Sequence, residues 1–193
     1  MSDFKTGQQL LDEEKAAKAA LAAAPAEASL AVRVSGLEPA MVEVVRKTVC
    51  AKLDENQLLL YLAICKRKQV DPFTEAYAFA EADGRLAFGL RIDGMRALAM
   101  RTGQLASRKV ETVFSEDDPP KLMGARATIQ RLGMDSPVIE EAWMGEYAKA
   151  NAMWAKFPET MIRKTAEAKA LRAAFPDALS GIYEPAELVK EEK

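Results

Sequence analysis

Apolar and polar positions change period several times along the chain, and each change marks an element. Residues 38–52 repeat apolar side chains at Met41, Val42, Val45 and Val49, while Arg46, Lys47 and Lys52 fall on other faces, which predicts an amphipathic helix. Asp54, with Gln57 three residues on, is a capping-box start to a second helix that runs through LLLYLAIC to Lys66, Arg67 and Lys68. Those cations suit the dipole at a helix end or the phosphates of a ligand, and Pro72 stops the helix. The period then drops to two. Tyr77 and Phe79, followed by Leu86, Phe88 and Leu90, alternate on either side of Asp83-Gly84, which predicts a hairpin. At Asp93 the period returns to that of a helix, with Met95, Leu98 and Ala99 on the core side, Arg96 and Arg101 elsewhere, and Gly103 as its end.

Two more alternating stretches, residues 104–115 and 121–131, flank an acidic turn, and residues 138–143 supply a third strand. On the middle strand Met123, Ala125, Ala127 and Ile129 share one face, and Arg126, Thr128 and Gln130 share the other. A last helix is predicted over 158–175, with Pro158 near its first position. Ile162, Ala166, Ala170 and Ala173 form its close-packing face, and Thr165, Lys169 and Arg172 form a second stripe. The predicted fold class is α+β: a twisted antiparallel sheet of about five strands, made of a hairpin plus a three-stranded meander, flanked by helices with a helical N-terminal arm. The arm covers 1–36, with a helix over 6–23 that Pro25 breaks; the core covers 37–183, and an acidic tail covers 184–193. The alanine-rich arm has little to bury, so it is read either as mobile or as docking on a neighbouring subunit.

Composition narrows the chemistry. Of 193 residues 49% are apolar and 29% charged, enough for one core. The net charge of -2 hides a basic middle between acidic ends. There is no histidine, which removes Ser-His nucleophiles, His-ligated metals and imidazole acid–base work. Cys50 and Cys65 lie in apolar helical patterns and read as free buried thiols in a reducing compartment. No phosphate-loop motif points to ATP, and the first residues lack the layout of a signal peptide, so a cytoplasmic protein with no membrane association and no cofactor is expected.

Several segments then resemble a known family in the right order. They are QLLLYLAICKRKQVDPFTEAYAF, GLRIDGMRALAMRTGQL, EAWMGEY, the run from Trp154 through Pro158, Met161 and Ile162 to Arg163, and then Arg172 to Phe175 and Gly181 to Tyr183. Together they cover about residues 40–184 and resemble the phage-type single-strand annealing recombinases of the lambda Beta and RecT group. The resemblance implies ATP-independent annealing of single-stranded DNA into a nascent duplex, by subunits assembled side by side as a homo-oligomeric ring or helical filament, with no enzymatic turnover. It also implies a phage or prophage origin, a positively charged groove between a hairpin side and the last core helix, and partnership with a phage exonuclease and a host single-strand binding protein. On matching positions Arg163 and Arg172 are implied as phosphate-binding cations, and Trp154 as the aromatic that opens the last helix region. The chain departs from lambda Beta at Glu159-Thr160 and Thr74-Glu75, where that protein is basic.

Annealing requires that phosphates be neutralised without reading sequence, and Lys and Arg do that. The expected DNA-binding residues are Arg91, Arg96, Arg101, Arg108, Lys109, Arg126, Trp154, Arg163, Lys164, Lys169 and Arg172. Met95, Leu98 and Trp143 are expected in the core, whereas Trp154 is open between the core and a contact with a base or subunit. Two other readings fit the same residues. One is a structural self-assembling protein without annealing activity; the other is a metal-dependent nuclease using acids such as Asp93, Glu111 and Glu140.

Overall fold

The computed structural model describes residues 29–81, 83–185 and 187. The helix expected over 6–23 and the end of the acidic tail lie outside the described residues. A short helix α1 (Leu30–Ser35) leads into α2 (Pro39–Lys47) and α3 (Glu55–Lys68). The expected cap is present on α3: the Asp54 side chain accepts from the Gln57 N–H, and the Gln57 side chain accepts from the Asp54 N–H. This helix buries Leu58, Tyr61, Leu62 and Cys65, and the Tyr61 hydroxyl donates to the Pro72 carbonyl at 2.6 Å. Ala31 of α1 is fully buried as part of the same core.

The hairpin pairs β1 (Ala76–Ala80) with β2 (Leu86–Leu90), Ala78 opposite Phe88. Gly89 is needed there because a Cβ would meet the Tyr77 ring and hydroxyl at 2.2 to 2.5 Å. Helix α4 (Ile92–Arg101) follows, one residue earlier than expected, so Asp93 lies in its first turn, where it pairs with Arg96. Gly94 lets α4 approach the Asp71 turn, since a Cβ at that position would sit 2.7 Å from the Glu75 carbonyl oxygen. Met95 and Leu98 are buried, as their spacing predicts.

The meander is β3 (Leu105–Phe114), β4 (Leu122–Arg131) and β5 (Val138–Trp143), in the order β3-β4-β5. All five expected strands exist, but hydrogen bonds join them as two separate antiparallel sheets rather than one. On β4 the face with Ala125, Ala127 and Ile129 is buried as expected, whereas Met123 is exposed. A register shift lies next to it: Val113 pairs with Gly124 and Phe114 with Leu122, so Met123 is an extra residue that breaks the alternation. Trp143 is half-buried rather than core, beside Gly124, whose absent Cβ would meet its ring at 2.8 Å.

Two short helices, α5 (Met144–Tyr147) and α6 (Ala152–Lys156), lead to α7 (Pro158–Ala174) and α8 (Pro176–Leu179). Helix α7 packs along β4 and β5. Ile162, Ala166 and Ala170 are fully buried, and their small volume lets the helix approach the alanine-rich strand face closely. Ala173 was expected on this face but is exposed; in the last turn Leu171, Ala174 and Phe175 are buried in its place. Thr165 is not on a solvated stripe: it is fully buried, and its hydroxyl donates to the Met161 carbonyl at 3.0 Å.

Candidate nucleic-acid interface

Strand β3 is an edge of its sheet, and its side chains alternate between two faces. Arg108, Val110 and Thr112 pair across with Ile129, Ala127 and Ala125, so they point to the side that α7 covers. Because α7 lies over β4 and β5, its flank at Glu159, Arg163 and Glu167, spaced four residues apart, looks onto β3. Between them runs a groove of about 460 Å³ lined by Arg96, Arg108, Val110, Glu159, Thr160, Arg163, Lys164 and Glu167. Four expected cations therefore meet in one place, contributed by α4, β3 and α7.

Their bonding decides what they offer to a ligand. Glu167 is only 2% exposed, and it accepts from Arg96 Nε at 2.7 Å, Arg96 Nη2 at 2.6 Å and Arg108 Nη1 at 2.8 Å. Its hydrogen bonds to Glu167 hold the Arg96 guanidinium more firmly protonated than a free one, although partial burial opposes this. The remaining N–H groups of Arg108 have no partner among the described residues. Arg163 donates to the Val110 carbonyl at 3.2 Å and stands 3.6 Å from Glu159, which itself accepts from the Thr112 hydroxyl. Lys164 has no ion-pair partner among the described residues, and it lines the groove. The groove thus has anchored cations at its floor and cations with open donors along its side, the arrangement that suits a phosphate chain.

The other expected site residues are placed elsewhere. Lys169 reaches over β5, donating to the Glu141 carbonyl at 2.6 Å, with Glu140 at 3.4 Å and the Tyr147 ring at 5.7 Å. Arg172 is clasped by Glu187 at 2.6 and 2.9 Å, donates to the Ile182 carbonyl and lies over the Tyr183 ring at 4.7 Å. Burial opposes its charge, yet Glu187 outweighs this and keeps the Arg172 guanidinium more firmly protonated. Lys109 and Arg126 project from the opposite face of the sheet, paired with Glu111 and Glu141 at 2.7 Å each. Arg91 donates to the carbonyls of Phe73, Thr74 and Ala76, and Arg101 to the Gln69 carbonyl and to Glu75. Both hold the turn around Asp71, whose carboxylate accepts from the Phe73 and Thr74 N–H groups; these bonds keep its pKa low against the desolvation that opposes them. Trp154 is 3% exposed, so of its two readings the ring takes the core. In the Lys66-Arg67-Lys68 run, Lys68 donates to the Ala178 carbonyl at 2.9 Å and the other two stay exposed.

The sequence pattern did not single out Glu167 or Val110 of the groove wall. The spacing Glu159, Arg163, Glu167 was available as a signal, but nothing in it says that the last of the three is buried. The acids Asp93, Glu111 and Glu140 do not converge: they pair with Arg96, Lys109 and Lys169 on different elements and on opposite faces of the sheet. No cluster of His, Cys, Asp or Glu that would hold a metal ion occurs among the described residues, and no helix among them is long and apolar enough to cross a membrane.

In comparison with known families, the model of the RecT family matches residues 36–193. Comparison with curated proteins gives no match.

Proposed function

The chain belongs to the RecT family of phage recombination and annealing proteins, and we propose that it anneals complementary single strands without ATP, holding their phosphates in the groove between β3 and α7. The observation that carries this reading is the convergence of Arg96, Arg108, Arg163 and Lys164 on one groove, with open donors on Arg108 and Lys164. Such contacts neutralise phosphates and leave base edges free to find complements. Lys169, which reaches over β5, and Arg172, which Glu187 clasps, lie outside this groove and contribute less. Arg91, Arg101, Lys109 and Arg126 contribute less, because main-chain carbonyls and acids of this chain already hold them.

One subunit contacts few phosphates, and a protein with net charge -2 gains little from long-range attraction. Lateral assembly into a ring or filament supplies the missing affinity through effective concentration. In this reading residues 37–183 are the annealing core, flanked by the arm at 1–36 and the tail at 184–193, and the protein works in the host cytoplasm. The test is a fluorescence assay with two complementary oligonucleotides, free of nucleotide triphosphate and metal. Faster hybridisation with the intact protein, and its loss in the Arg163→Ala, Lys164→Ala double variant, is the expected result. Cleavage in a parallel arm with added magnesium would support the nuclease reading, and assembly without faster hybridisation would support the structural one.

A further inference from the structure

Glu167 is the least expected member of the groove. A carboxylate sealed from water is unfavourable unless its partners are well placed, and this one draws two arginines from two other elements, Arg96 of α4 and Arg108 of β3. Both of Arg96's bonds to it come from one edge of the guanidinium, while Arg108 gives a single N–H and keeps the rest for the groove. The arginines themselves are about a third exposed, so each reaches the groove surface while being anchored from beneath. Pairing also fixes two long side chains that would otherwise sample many rotamers, so their ordering cost is met before a ligand arrives.

We propose that Glu167 is a positioning residue for DNA: it touches no phosphate itself, but aims Arg108 so that its outward N–H groups meet the backbone in the groove, while Arg96, held by Glu167 on one edge and by Asp93 at Nη1, braces it from α4. This rests on the groove reading above. Its signature is a sign that simple electrostatics reverses. Removing a negative charge beneath a phosphate site makes the site more positive and, by charge alone, tightens binding. If orientation is what Glu167 supplies, removing it weakens binding in spite of the added positive potential.

The measurement is the affinity of the full-length protein for a labelled oligothymidylate across a salt series, with circular dichroism melting as the folding control. Glu167→Gln is expected to bind about tenfold more weakly, by analogy with the low end of what loss of an orienting partner costs at metal sites. Equal or tighter binding by a folded Glu167→Gln protein overturns the proposal. A double-mutant cycle adds a second readout: Arg108→Ala costs less in the Glu167→Gln background than alone, and fully additive losses overturn it. Should Glu167→Gln fail to fold, Arg108→Lys decides, because it keeps the charge and loses the fork; weaker binding supports the proposal and unchanged binding overturns it. Lys164→Ala separates the two levels. If it leaves affinity unchanged, the groove reading falls; if it weakens binding while Glu167→Gln does not, only the role of Glu167 falls.

Discussion

At the scale of single residues, the same side-chain type performs two different tasks. Arg91 is spent on three main-chain carbonyls at 3.0 to 3.1 Å, whereas Lys164 is bonded to nothing among the described residues and faces the groove. Arg91→Ala is therefore expected to cost about 2 kcal/mol of stability, from hydrogen bonds by a charged donor, as measured by urea unfolding. Lys164→Ala is expected to leave stability within about 0.5 kcal/mol while lowering DNA affinity and flattening its salt dependence. A stability loss at Lys164 with unchanged affinity would reverse this assignment. The cysteines allow a pH prediction. Burial pushes the thiol of Cys50 up to about 11 and that of Cys65 up to about 12, from an ordinary value of 9.0. The folded state therefore keeps protons that the unfolded state releases, so this contribution is constant below about pH 9 and stability falls as pH rises from there through the folded values. Alkylation of the native protein near neutral pH should accordingly be slow at both thiols, and rapid labelling would show that they are not sealed.

At the scale of elements, the groove exists because α7 sits close to the sheet and leaves the edge strand uncovered. The close approach depends on small residues: Ala166 and Ala170 are fully buried on α7, which packs along β4, where Ala125 and Ala127 are buried too. Ala166→Leu inserts volume that this contact cannot absorb and is expected to destabilise by about 1–3 kcal/mol, read as a lower melting temperature. It should also weaken DNA binding, since lifting α7 moves Arg163 and Lys164 away from Arg108. Much of this layer was legible in the sequence. The capping box at Asp54, the hairpin around Asp83-Gly84, the proline at the start of α7 and the alternation on β4 are local signals, and each element formed where its signal lay. What was not legible was how the strands divide into sheets, because hydrogen-bonding partners beyond a hairpin are chosen by packing rather than by period.

At the scale of the whole molecule, a chain of net charge -2 has to concentrate its cations to hold a polyanion at all. Here the concentration is modest: four cations share the groove with Glu159 and Glu167. Affinity for a short oligonucleotide should therefore fall with salt by about 0.7 log units per log salt for each phosphate contact, and it should rise steeply with oligonucleotide length as neighbouring subunits engage. Electron microscopy of the protein with complementary strands added in sequence checks the second part; monomers on long DNA would sink it. The sequence by itself determined the kinds of element, their order, the absence of imidazole chemistry and the ordered motifs that resemble annealing recombinases, because these depend on local periods and residue types. Only the tertiary structure decided which arginines face a groove and which brace the fold, and that Trp154 is core. Those outcomes depend on carbonyls and acids distant in the chain, as when Glu167 on α7 collects Arg96 from α4 and Arg108 from β3, a meeting that no local pattern encodes.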